Sequence, residues 1–394
     1  MPLAIYVLGL GIFTQGTSEF MLSGLLPNIA SDLGVSIPDA GLLISAFAIG
    51  MVVGAPLLAI ATMRWPRRTA LAALQVVFIA AHVVGALAPG YWVLFATRIV
   101  SALSYAGFWA VAVATGVSLV APNARSRAVA IIAGGLTLAT IVGVPAGTAL
   151  SQFTGWRAVF WAVTALTLGS LLCSLLTIRE DAGAQGETRS ISAELRAMNR
   201  PQLWLSYAIT ALTFGAVIVS FSYLAPLLTD VTGLPEQWVP AQLALFGVGG
   251  LLGMSIGGRT AQAHPIRTLL FGLSTLVLAS ALLAVAADDA LITTALVFAL
   301  GVSGFITNPA LQSRVFALAP GAPTLVGAGN TSAFNIGNTV APALGGLAIN
   351  AGLGFTSVAW VGAAIGAAAL LATAWAGYLQ HRTRQPRTPV PAAA

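Results

Sequence analysis

Lysine is absent from this chain: all 17 of its basic residues are arginine, set against 11 acids. Charge of either sign is scarce, at 7% of 394 residues, where a soluble domain carries roughly a quarter. A chain so poor in charge lacks the means to cover a water-facing surface. The single cysteine, Cys173, excludes an internal disulfide, and no metal-ligand spacing accompanies it. The three histidines, His82, His264 and His381, are scattered. The phosphate-binding pattern GxxxxGK[ST] is missing, which argues against an ATP-driven pump. HExxH and acyl-transfer histidine motifs are missing too, which argues against an intramembrane enzyme. The first apolar segment has no basic leader and is too long for a signal-peptide core, so no cleavable signal is read there.

What the chain does have is long apolar runs. Hydrophobic residues make up 58% of it, and the mean hydropathy is +0.92. A bilayer core needs about 20 apolar residues per helix. Stretches of that length fall at 5–29, 40–62, 69–88, 91–119, 128–150, 156–178, 202–228, 239–262, 266–286, 291–317, 325–350 and 356–379. The reading is therefore an all-α integral membrane protein with twelve transmembrane helices. An even count places both termini on one side. Every arginine except Arg98 and Arg157 falls on turns facing that side. This bias predicts cytoplasmic termini. It also accounts for the net charge of +6 without nucleic acid as a partner.

The polar stretch 179–201 separates six spans from six. The domain expectation is an N-terminal bundle over 1–178, a cytoplasmic linker over 179–201, a C-terminal bundle over 202–380 and a disordered tail over 381–394. Residues 192–198 suit either a short amphipathic surface helix or a solvated linker. One constant shift aligns Pro27 with Pro226, Gly34 with Gly233, Phe47 with Phe246, Gly50 with Gly249, Gly54 with Gly253 and Pro66 with Pro265. Glycine and proline set backbone geometry, so the shared positions predict two parallel repeats related by a pseudo-twofold axis.

Glu19 is the sharpest feature of the first span. A charge near the bilayer centre costs about 2.5–3.5 kcal/mol on the insertion scale. Gln15, Gly16 and Ser23 share its helical face, which should point into the bundle. Desolvation favours the neutral acid and a nearby cation favours the carboxylate, so the balance stays open at this point. A carboxyl that loads and unloads a proton inside a bundle is what a proton-coupled carrier needs; a fixed hydrogen-bond network is the structural alternative. Arg98 is the second charge within a span, with Ser101 and Tyr105 on its face. It either joins Glu19 in proton coupling or binds neighbouring backbone carbonyls. His82 reads as structural or interfacial. The second half has Ile218 where the first has Glu19. It carries instead amides (Asn308, Gln312, Asn330, Asn335, Asn338) and rings (Phe221, Tyr223, Phe246, Phe305, Phe334). Substrate contacts are therefore expected from Gln15, Ser23, Tyr105, Phe221, Tyr223, Phe246, Asn308 and Asn335, a mixture suited to a small, largely apolar molecule. In span five, Gly143, Pro145 and Gly147 permit a bend and close helix contact, as a pivot or seal between halves requires.

Together these features resemble the drug:proton antiporters of the major facilitator superfamily. GVPAG at 143–147 is similar to that family's antiporter signature, and Arg98 with Ser101 and Gly107 resembles its fourth-helix arginine motif, with Ala102 where a glycine is usual. TGWRAVFW at 154–161 is similar to the family's entry into helix six. AIATMRWPRR at 59–68 keeps the basic end of the cytoplasmic loop motif as Arg64, Arg67 and Arg68, with Ala59 and Met63 where Gly and Asp are usual. The stretch from Ile5 to Ser36, with Ala40 to Arg68, resembles the chloramphenicol-resistance exporters of high-GC Gram-positive bacteria. The resemblance implies proton-driven export of chloramphenicol or a related amphenicol by alternating access, with no cofactor beyond the proton gradient and no enzymatic activity. A small hydrophobic drug, protons and the lipid bilayer are the expected partners of a monomer. Export of a sugar or another metabolite on the same fold is the alternative.

Overall fold

The computed structural model describes residues 1–62, 65–121, 124–178, 196, 198–261, 263–319 and 323–384. Among them every regular element is a helix. Span one is Leu3–Phe20, continued by a 3-10 turn at Met21–Gly24 and a helix at Leu26–Leu33. Spans two to four are Ile37–Ala61, Arg67–Ala86 and Tyr91–Ser118. Span five joins Arg125–Leu138 to Val144–Thr154 through a π-turn at Ala139–Gly143, and span six is Trp156–Thr177. Span seven is Pro201–Ser222 with a short extension to Val231. Spans eight and nine are Val239–Thr260 and Pro265–Ala286. Span ten is Ala290–Ile306 followed by Asn308–Leu318, and spans eleven and twelve are Pro323–Ala348 and Thr356–Arg384.

Ten of these segments are long and apolar enough to cross a membrane. Spans one and eleven fall outside that set because they concentrate polar residues: Thr14 to Glu19 in the first, Asn330, Asn335 and Asn338 in the second. The polar residues are buried, whereas Leu57, Val76, Leu172, Phe271 and Leu371 are exposed. An apolar outside and a polar inside is the arrangement a lipid solvent imposes.

The helix ends follow local chemistry. Ser36 Oγ accepts from the Asp39 amide at 3.1 Å and donates to the Asp39 carboxylate at 2.6 Å, capping span two. Asp289 caps span ten by accepting from the Leu291 and Ile292 amides, both at 2.9 Å. Gly34 (φ 64°) and Gly233 (φ 70°) take the left-handed conformation at equivalent points of the two halves. Gly155 (φ 80°) and Gly354 (φ 73°) do so at a second pair of equivalent points. Helix pairing repeats as well: spans two and four, one and five, three and six pack together, and so do eight and ten, seven and eleven, nine and twelve. Gly50 and Gly249 make equivalent close approaches, against the Ile99 carbonyl and the Phe298 carbonyl. The repeat read from the sequence is thus present in the backbone.

The halves meet through two equivalent contacts, span two on span eleven and span eight on span five. Ser45 Oγ donates to the Thr339 carbonyl at 2.7 Å across the first. In the second, a Cβ on Gly247 would stand 2.8 Å from the Thr140 carbonyl oxygen and from the Ile141 Cα. Gln152 Nε2 donates to the Glu236 carbonyl at 2.6 Å near the ends farthest from the termini. The halves are therefore closed on the side away from the termini.

Two boundaries differ from expectation. The last helix runs to Arg384, past the expected start of a disordered tail at 381, because nothing before Pro386 breaks it. Most of the linker, including 192–195 and 197 of the 192–198 segment, and residues 385–394 lie outside the described residues.

Candidate functional site

Between the halves lies a cavity of about 330 Å³. It draws its lining from both: Glu19, Tyr105 and Thr137 on one side, Phe221, Phe246, Asn308 and Asn335 on the other. Its walls descend toward the terminus side along Ala130 and Gly134 of span five, Gln312 of span ten and Asn330 of span eleven. At the closed end the rings interlock. Phe20 meets Phe221 edge-on at 6.4 Å, Phe221 stacks on Phe246 at 4.5 Å, and Phe246 meets Phe305 at 6.1 Å.

Glu19 sits one residue before the end of the first helix and is 6% exposed, so its exposure is to the cavity. No hydrogen bond or ion pair engages its carboxylate among the described residues. The residue at the equivalent position, Ile218, lines the same cavity from the second half. The asymmetry between halves is therefore an asymmetry of one chamber, acid on one wall and amides and rings on the other.

Arg98 does not pair with Glu19. Its Nη1 donates to Ser18 Oγ at 2.8 Å and its Nη2 to the Ser18 carbonyl at 2.9 Å. The guanidinium lies over the Phe47 ring at 4.3 Å from its centroid. The cause is the break in span one. A helix leaves its last four carbonyls without intrahelical donors, and Ser18 is among the last four of Leu3–Phe20. Arg98 supplies both the donor and the positive charge that a helix C-terminus favours. Ser18 Oγ also meets His82 Nε2 at 2.8 Å, and His82 Nδ1 lies 3.0 Å from the Phe78 carbonyl. His82 is buried in the bundle, as its structural reading requires.

Of the substrate contacts expected from sequence, Tyr105, Phe221, Phe246, Asn308 and Asn335 line the cavity; Gln15, Ser23 and Tyr223 do not. Gln15 is buried among helices, with neither amide atom paired. Ser23 lies in the 3-10 turn, which ends the helical register that would have put it on the Glu19 face. Tyr223 donates its hydroxyl to the Pro342 carbonyl at 2.8 Å, and its ring packs where Gly345 and Gly41 lack side chains. It is part of the closure between spans two and eleven. Sequence reasoning missed Met51, Trp109, Thr137, Thr140 and Met254. Trp109 had a signal, since it stands one helical turn beyond Tyr105.

The span-five motif acts within its own half. The missing side chain of Gly143 makes room for Thr17 of span one, and a Cβ on Gly147 would stand 3.0 Å from Val159 of span six. The π-turn before Pro145 absorbs the bond that proline does not donate. The contact with the other half falls slightly earlier, at Thr140 and Ile141. Of the loop motif, Arg67 ties the start of span three to the end of span four by donating to Ser118 Oγ and, at 3.1 Å, to the Ala114 carbonyl. Arg68 is half-buried, and Arg64 lies outside the described residues.

The chain is 40% identical over 374 residues to a chloramphenicol resistance protein of Streptomyces lividans, covering 94% of this chain and 95% of that one. It is 37% identical to the inner membrane transport protein YdhP of Escherichia coli (strain K12), covering 93% and 94%. The fold matches the crystal structure of a bacterial homologue of the human lysosomal transporter Spinster, captured inward-facing and unoccupied, with a TM-score of 0.78 at 17% identity over 98% of each chain. The sequence pattern of the Major Facilitator Superfamily spans residues 8–333. With two matched six-helix repeats around one central chamber, the chain belongs to the Major Facilitator Superfamily of membrane transporters.

Proposed function

We propose that this transporter exports chloramphenicol or a related amphenicol across the cytoplasmic membrane in exchange for protons. The observation that carries the reading is the unpaired Glu19 carboxyl on the wall of a cavity otherwise lined by rings, amides and aliphatic groups. Chloramphenicol is neutral, with one aromatic ring, an amide and two hydroxyls. Phe221, Phe246 and Tyr105 offer faces for the ring, and Asn308 and Asn335 offer partners for the polar groups. Asn335 Nδ2 is already committed to the Thr331 carbonyl at 3.0 Å, which leaves its Oδ1 as the free acceptor. The similarity to a chloramphenicol resistance protein supports the same substrate class.

The termini lie on the cytoplasmic side in this reading, so the chamber is reached from the cytoplasm. A monomer suffices, because both walls come from one chain. Drug enters, the halves rock, and drug leaves on the far side. Proton binding at Glu19 then favours return. Each inward proton supplies about 2.3 kcal/mol per 100 mV. Coupling requires that drug and proton prefer different states or exclude each other at one site. Exchange of a neutral drug for one proton moves net charge.

The test is drug accumulation in cells expressing the protein, with and without a protonophore, across a panel of amphenicols, sugars and nucleosides. Lower accumulation of amphenicols alone, restored by the protonophore, is expected. Protection against no amphenicol, with movement of a metabolite instead, refutes the substrate assignment. Vesicle transport that ignores membrane voltage contradicts one-proton exchange.

A further inference from the structure

The proton-carrier reading leaves a physical question at its centre. A cation and an acid sit near each other in a low-dielectric bundle, where opposite charges attract strongly. Yet no ion pair within 4.0 Å joins Arg98 to Glu19, and the guanidinium is held on the residue next to it. Something keeps Arg98 on Ser18.

The hydrogen-bond chain supplies the answer once donors are assigned. The Phe78 carbonyl can only accept, so His82 Nδ1, 3.0 Å away, carries the hydrogen. In neutral imidazole the other nitrogen is then a bare acceptor. His82 Nε2 accepts from the Ser18 hydroxyl at 2.8 Å. With its hydrogen directed at His82, Ser18 Oγ presents its lone pairs to Arg98 Nη1 at 2.8 Å. The chain runs one way, from guanidinium to hydroxyl to imidazole to carbonyl. The imidazole is clamped by stacking on Phe78 at 4.1 Å and by Phe160 at 5.5 Å, with Ser101 Oγ 3.3 Å from Nδ1. Arg98 and Tyr105, both from span four, are the titratable groups that act on Glu19; His82 from span three faces Ser18 and Arg98 instead, and no basic side chain lines the cavity among the described residues.

We infer that His82 is the positioning residue that fixes Ser18 as an acceptor and so holds Arg98 on the end of the first helix and off the Glu19 carboxylate. The assignment rests on the proton-coupling role of Glu19 proposed above. Without His82, nothing directs the Ser18 hydrogen away from Arg98, the Nη1 bond weakens, and the guanidinium keeps only its Nη2 bond to the Ser18 carbonyl, so Arg98 gains by turning toward the carboxylate. The acid then releases its proton too readily to carry it.

The experiment reads Glu19 directly and needs no drug. The carboxyl stretch of purified protein is followed by infrared spectroscopy as a function of pH, with Glu19→Gln subtracted to isolate this one group. His82→Phe keeps the stacking and removes the acceptor, and His82→Gln keeps an acceptor at the Nε2 position. An opposite charge brought within contact moves a carboxyl titration by about one to three pH units. His82→Phe is therefore expected to lose the protonated band at a pH lower by that amount, with His82→Gln near wild type. Ser18→Ala should match His82→Phe, and the double variant should shift no further, because both break one chain. Should His82→Phe fail to insert, Ser18→Ala carries the same expectation. Unchanged titration in His82→Phe or Ser18→Ala overturns the positioning role while leaving the proton carrier standing. A wild-type protonated band already lost in the range of an ordinary exposed glutamate overturns both.

Discussion

At the scale of single residues, an acid in a membrane helix is kept only at a cost, and Glu19 offsets none of it by a hydrogen bond or ion pair. In the proposed cycle, a carboxyl in that condition is the group that exchanges a proton with the chamber. Glu19→Gln keeps volume and polarity and removes the exchangeable proton. The variant should insert at wild-type levels and lose pH-driven export in vesicles. Export at the wild-type rate would reject the proton role. Arg98→Lys tests the other charge. Lysine replaces a planar fork by a point charge, and the fork now makes two bonds to Ser18. Loss of one bond to a charged group is worth about 1.5–3 kcal/mol, so export should slow roughly tenfold or more. Unimpaired export by the lysine variant would remove Arg98 from the site. Glu19 was legible in the sequence because a carboxyl in an apolar run contradicts its surroundings. Its neighbourhood was not. Ser18 lies 80 residues from Arg98 and 64 from His82, and no local pattern predicts such a chain.

At the scale of elements, the spans themselves were legible because hydropathy over about 20 residues is set by the bilayer and needs no tertiary information. The break inside span one was not, since the residues from Gly16 to Gly24 include no proline and are compatible with a continuous helix. That break moved Ser23 off the predicted face and created the carbonyl that Arg98 caps. Span one also ends in a clamp outside the apolar region. Asp32 accepts from Arg157 and, at 3.1 Å, from Trp156 Nε1. Arg157 also donates to the Ala88 carbonyl at 3.2 Å and lies over the Trp156 ring. One acid thus joins the end of span one to the start of span six, with the turn after span three. The hydrogen bond from Arg157, then that from Trp156, holds the Asp32 carboxyl below its ordinary value of 3.8. A group depressed in the folded state adds stability above its unfolded value and loses it as pH falls through the folded one. Wild-type protein should therefore lose melting temperature as pH falls through and below the ordinary aspartate range. Asp32→Asn should melt lower at neutral pH and show a flatter acid limb. Parallel acid limbs in the two proteins would show that the clamp contributes nothing to folding.

At the scale of the molecule, the repeat and its asymmetry act together. Matched glycines and prolines give two halves that pack alike, so span two on span eleven and span eight on span five form a pair of equivalent seams. Rocking about such seams opens one side as it closes the other. The self-alignment of the sequence showed the repeat, but not which side is closed, because that depends on contacts between halves. Tyr223 is the instance. It read as a substrate contact from its ring and its neighbours in sequence, and it is instead part of the seam, bonded to Pro342 and packed on Gly41. Transport requires this seam to part in every cycle. Ser45 meets the backbone of Thr339 across it, with Ser45 Oγ 2.7 Å from the Thr339 carbonyl. Cysteines at both positions, with Cys173 replaced by serine, should cross-link under mild oxidation and halt export. Reduction should restore it, and each single cysteine should export before and after oxidation. Full export by the cross-linked pair would mean that the seam stays shut throughout the cycle and that drug leaves by another route.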